Sequence, residues 1–119
     1  MCRIAGGGLV ILSGVALVLG GAQLVRHGPA AWPDIVADAI VVRRTAMVML
    51  VLGLILAATG GAAAANLPRG PAMAAIAASA FVVLAFWGNR LLFGDWRPLH
   101  TSTNVAVLAV ILVLLRLGQ

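Results

Sequence analysis

Residues 94–116 read GDWRPLHTSTNVAVLAVILVLLR. A polar opening runs without a break into an apolar segment. Val105 to Leu115 is apolar for eleven residues. At about 1.5 Å per residue that is roughly 16 Å of helix, half of a ~30 Å hydrocarbon core. Arg116 closes the segment and can snorkel to an interface. A full span needs about 20 residues, and counting back from Arg116 reaches Trp96 and Arg97. On that register Asn104 lies about 10 Å inside the core, and His100 only a few Å inside. Arg97, His100 and Asn104 follow i, i+3, i+7 and share one helix face. Polar groups at depth are costly and usually face protein or a water-filled cavity. The commoner arrangement is that Asn104, Thr101, Ser102 and Thr103 bond back to the backbone or to a neighbouring helix.

Composition extends the same reading to the whole chain. Of 119 residues, 63% are hydrophobic and 9% charged, against about 25% charged in a soluble domain. A chain of this size has no soluble core able to hide so much apolar surface. Lys and Glu are absent, so all eight positive charges are Arg, and the formal net charge is +5. The Arg stand at the ends of apolar runs rather than in a cluster. They read as interface anchors, and no nucleic-acid partner is expected. A lone cysteine, Cys2, excludes an internal disulfide.

Three more spans precede the first one considered. Residues 4–25 are apolar except for Ser13 and Gln23. They are longer than a secretory signal core, so a retained helix is expected. Ser13, Ala16 and Gly20 give it a stripe for close packing. His27-Gly28-Pro29 breaks it. Trp32-Pro33-Asp34 looks like a helix start, so residues 34–44 are expected to form a short interfacial helix or an extension of the next span. Asp34 and Asp38 stand at i, i+4, a spacing shared by paired-carboxylate sites and by ordinary solvated faces. The second span covers about 45–65, with Thr59 its polar residue. Gly53, Ala57, Gly61 and Ala65 recur at every fourth position and predict a helix-packing stripe. Asn66 to Pro71 is a turn. The third span covers about 72–90, Ala-rich first and bulky later, and the fourth about 97–117.

Four spans put both termini on one side. The opposite side collects Arg26, Arg43, Arg44, Arg90 and Arg97, with all three Asp, both His and all three Trp. The terminal side holds Arg3, Arg69 and Arg116. By the positive-inside rule the richer side is cytoplasmic, on a weak bias.

The expected fold is therefore all-α: one domain, a four-helix transmembrane bundle with an interfacial helix between spans 1 and 2. The candidate polar or ligand site is Arg90, Asp95, Arg97, His100 and Asn104. His27 and His100 lie near the same interface, but no third ligand or binding motif accompanies them. No metal, no cofactor and no catalysis are expected. The expected partners are the lipid bilayer and other membrane subunits or further copies of the chain. The Ala/Gly/Val/Leu/Arg bias points to a bacterial inner membrane. Two functions follow. The first is a non-catalytic accessory subunit acting through helix–helix contacts. The second is a homo-oligomeric small transporter or channel with its polar site at the start of span 4.

Overall fold

The computed structural model describes residues 2–32, 35–94 and 98–118. Among these there are four α-helices and no strand: α1 (Cys2–His27), α2 (Ala39–Ala64), α3 (Gly70–Phe93) and α4 (Pro98–Leu117). Each is long and apolar enough to cross a membrane. Short links force successive helices to run antiparallel. α4 returns beside α1, where Gly6 meets the side chains of Leu114 and Leu115.

The helix ends are set by local chemistry. Gly28 (φ 58°) and Gly94 (φ 80°) adopt the left-handed conformation that glycine takes without a steric penalty, and they end α1 and α3. At the end of α2 the same task falls to Asn66 (φ 58°). Its N–H donates to the Ala63 carbonyl (3.1 Å) and that of Leu67 to the Ala62 carbonyl (3.0 Å), the two bonds of a Schellman motif. The Asp38 carboxylate accepts from the Val41 N–H (2.9 Å) and caps the start of α2.

That cap corrects the expected interfacial helix. Gly28–Ala31 is a single 3-10 turn, the described residues 35–38 are not helical, and residues 39–44 are the first turns of α2. The extension holds rather than a separate helix, because Asp38 starts α2 a full turn before Arg43. Asp34 lies outside the described residues. The carboxylate of Asp38 is a helix cap. Replacing Asp38 with Ala is expected to cost about 1 kcal/mol, read as a lower melting temperature in detergent. Asp38→Asn, which keeps an acceptor, should lose much less.

The connection folds back onto the bundle. The Val36 N–H donates to the Leu92 carbonyl near the end of α3 (2.8 Å). The Trp32 and Phe93 rings lie 6.1 Å apart. Beneath them Leu24, Val42, Ala46 and Leu92 form a small second core.

The main seam joins α1 to α2, the most extensive helix contact in the molecule. Gly7, Gly14 and Gly21 of α1 face Gly60, Gly53 and Ala46 of α2. Each step of seven along α1 is matched by a step of seven back along α2. A Cβ on Gly14 would stand 2.5 Å from the Gly53 carbonyl oxygen, and one on Gly53 would stand 2.7 Å from that of Gly14. Gly7 and Gly60 repeat this reciprocity at 2.6 and 2.7 Å. The α-hydrogens of these glycines therefore point at carbonyl oxygens across the seam, the geometry of weak Cα–H···O bonds. A seven-residue period keeps one face turned to a partner with a left-handed supercoil. The larger members of the same repeat are Val10, Leu17 and Leu24 on α1 and Val42, Met49, Leu56 and Ala63 on α2. Of these, Val10, Leu24, Val42, Leu56 and Ala63 are buried, and they feed the two cores.

The expected stripe at every fourth residue packs only in part within the chain. Gly53 is in the seam and Ala57 touches it, but a Cβ on Gly61 would meet nothing within 4 Å, and Ala65 is exposed. A step of four advances about 40° around a helix, so twelve residues turn the stripe by roughly 120° away from its partner. Likewise Gly14, not Ser13 or Ala16, makes the close contact on α1. Ala16 is exposed, and the Ser13 hydroxyl donates to the Leu9 carbonyl (2.9 Å).

α3 and α4 complete the bundle. The Ala-rich start of α3 buries Ala74, Ala77 and Ala78, and α4 contributes Ile111 and Leu115. Both α4 anchors lie in its second half. Its first half has no buried residue, and this leaves a space between α4 and the other helices.

Candidate functional site

That space is a cleft of about 720 Å³ at the Arg-rich end of the bundle. It lies within the usual range for small-molecule sites, roughly 300–1,000 Å³. α2, α3 and the first half of α4 form its walls, and Trp32 reaches it from the connection.

The lining is graded along the helix axes. At the Arg-rich end stand Thr45 on α2, Asn89 on α3 and His100 on α4, together with the apolar side chains of Trp32, Leu92 and Phe93. Thr103 and Asn104 follow one turn further along α4, opposite Met49 and Ala85. Leu52, Phe81 and Leu17 close the floor. From Thr45 to Leu52 is about 10 Å along α2, and from Asn89 to Phe81 about 12 Å along α3. The cleft thus carries its polar groups toward its mouth, among aromatic and aliphatic side chains, and is apolar at its base. It is also open: Val48 and Leu84, apolar side chains of its wall, keep 49% and 43% of their surface exposed.

The hydroxyl protons of this wall are already engaged. Thr45 donates to the Val41 carbonyl and Thr103 to the Leu99 carbonyl, both at 2.9 Å. The amides are not. Among the described residues, Asn104, half-buried, has no hydrogen-bond partner, and neither do Asn89 and His100. An Asn side chain carries two N–H donors and a carbonyl acceptor, and such groups take a partner wherever water is scarce. Asn104 also borders a second void of about 10 Å³, walled by Ser13, Val10, Leu56 and Ile111. That is room for roughly one water molecule.

The structure divides the residues expected to form the site. His100 and Asn104 line the cleft, on one face of α4 as their spacing predicts. Arg90 is exposed and does not line it. Its guanidinium lies 5.9 Å from the centre of the Trp87 ring, on α3. Asp95 and Arg97 lie outside the described residues. Of the hydroxyls expected to bond back to the backbone, Thr103 does so. Asn104 does not. Sequence reasoning missed Asn89, Thr45 and Trp32 as lining residues. Asn89 was legible as an amide one residue inside the Arg90 anchor, but the other two are placed by the folded connection and by the splay of α4. His27 is exposed and does not line the cleft, and no group of three metal-ligating side chains occurs among the described residues.

No family model, curated protein or solved structure matches the chain. The cleft therefore carries the functional argument alone.

Proposed function

We propose that the chain spans a membrane as a four-helix bundle and binds a small amphipathic molecule in this cleft, as a binding or carrier protein rather than an enzyme. The observation that carries the reading is the half-buried Asn104 amide, without a hydrogen-bond partner among the described residues, set between the polar groups of the mouth and an apolar floor. A ligand with one polar end and one apolar end meets both. The polar end takes hydrogen bonds from Asn89, His100 and Asn104, and the apolar end lies against Met49, Leu52 and Phe81. Composition makes a bacterial inner membrane the natural setting.

The rival reading, an accessory subunit docking through small residues, has less support. Gly7, Gly14, Gly53 and Gly60 are taken up between α1 and α2 within one chain, which leaves Gly61 and Ala65 of the expected stripe. Of the polar site at the start of the fourth span, which motivated a small transporter or channel, His100 and Asn104 line the cleft.

The test uses Trp32 as reporter, with Trp87→Phe and Trp96→Phe removing the other indoles. The probes are decanoate, decanol and decyltrimethylammonium, each brominated near the headgroup so that a bound molecule quenches Trp32. At least one should quench saturably. Gly88→Leu should abolish this. A Cβ there meets only the Thr45 methyl, at 3.9 Å, so the new side chain fills the mouth without straining the backbone. Asn104→Leu should keep the fold and weaken binding about tenfold, the worth of one hydrogen bond. Quenching that rises linearly with every probe and is unchanged in Gly88→Leu would mean mere partition into the bilayer, and the proposal would fail.

A further inference from the structure

We infer that the cleft selects an anionic, single-chain amphiphile, one with a carboxylate or phosphate head. The inference rests on the binding role proposed above and adds the charge of the ligand.

Charge and hydrogen-bond polarity at the mouth carry the inference. Arg44 stands one turn before Val48, a wall residue, on the same edge of α2. It is exposed, and no ion pair holds it among the described residues. His100 faces the same space from α4, and Asn89 from α3. These groups offer a guanidinium fork, an imidazole and an amide N–H₂, the donor set that suits a planar or tetrahedral oxyanion.

The one acid among the described residues, Asp38, accepts the Val41 N–H as the α2 cap and does not line the cleft. A cationic head would meet Arg44 with no carboxylate among the described lining residues to pair it. A neutral head would leave the guanidinium's attraction unused. The apolar part is limited by the floor, where Leu17, Leu52 and Phe81 close the cleft about 10–12 Å below the mouth. One chain fits that taper, and its far end can leave through the open wall between Val48 and Leu84.

The Trp32 quenching assay tests this directly in zwitterionic vesicles at low ionic strength. Brominated decanoate is expected to bind at least tenfold more tightly than brominated decanol, and brominated decyltrimethylammonium most weakly. Arg44→Gln should remove most of that preference by weakening decanoate binding. Arg43→Gln removes the same charge from a face of α2 turned about 100° from Arg44 and should leave the preference intact. If decanol or the ammonium binds as tightly as decanoate, the anionic assignment is overturned while the cleft still binds. If Arg43→Gln erases the preference as fully as Arg44→Gln, the attraction is a general surface charge and the assignment is also overturned. If no probe saturates, the binding role itself fails. Displacement of decanoate by an equal concentration of a two-chain anionic phospholipid would overturn the single-chain assignment.

Discussion

Replacing Gly14 with Val pushes α1 off α2, and the protein is expected to lose about 3 kcal/mol of stability, near the upper end for an overpacked site. The added Cβ alone would stand 2.5 Å from the Gly53 carbonyl oxygen and 2.8 Å from the Ala57 nitrogen. Both are backbone atoms and have no rotamer to escape into. The helices must separate, and every neighbouring contact of the seam lengthens with them. In a bilayer this matters more than in water, because lipid tails are as apolar as the side chains. Helix association then rests on van der Waals contact and weak polar bonds rather than on the hydrophobic effect. Gly61→Val is the control. It adds the same group to the same bundle at a position where a Cβ meets nothing within 4 Å, and its effect should stay within about 0.5 kcal/mol. The measurement is the folded fraction against SDS mole fraction in mixed micelles. Equal losses for the two substitutions would refute the seam.

Leu56→Ala is the second large effect, expected at about 2 kcal/mol. Leu56 is fully buried at the centre of the main core, beside Val10, Ala78 and Ile111. Truncating a buried Leu in a soluble protein costs 2–5 kcal/mol, the transfer of the lost methyls plus the cavity left behind. In the membrane setting proposed above, the unfolded reference is a helix in lipid, so most of the transfer component drops out and the cavity component remains. The low end of the range is therefore the expected value. The substitution also joins new space to the small void beside Asn104. Xenon or another small apolar probe should bind Leu56→Ala and not the parent protein. A loss near 5 kcal/mol would mean that the core is governed by water rather than lipid, against a membrane setting.

Much of this architecture was legible before any coordinates. Four apolar runs separated by Pro, Gly and Arg dictate four helices, because only a helix satisfies its backbone within one segment in lipid. The α2–α3 turn was legible from Asn66, Pro68, Gly70 and Pro71. Asn104 was legible from depth alone. The seam was present in the sequence as Gly7-Gly14-Gly21 and Ala46-Gly53-Gly60, yet it was masked. In a chain with fourteen glycines, small residues also fall at every third and fourth position. Only the antiparallel match of two periods of seven separates the true face from those accidents. The cap at Asp38 was hidden by the stronger local signal at Trp32-Pro33-Asp34. The cleft was not legible at all. It depends on α4 being held at Ile111 and Leu115 and leaning away above them, and no local pattern encodes that tilt.

The matched period in α1 and α2 also bears on how the chain is made. Both halves of the seam are complete once residue 64 has been synthesised, before any of α3 exists. The first two helices can therefore pair as soon as they reach the membrane, in a register that the facing glycines allow along the whole length. The later helices then arrive at a finished surface of Val10, Leu56 and Ala63. The order of residues in the gene is thus also an order of assembly. The last helix to join, α4, is the one held least firmly, and it forms one wall of the cleft.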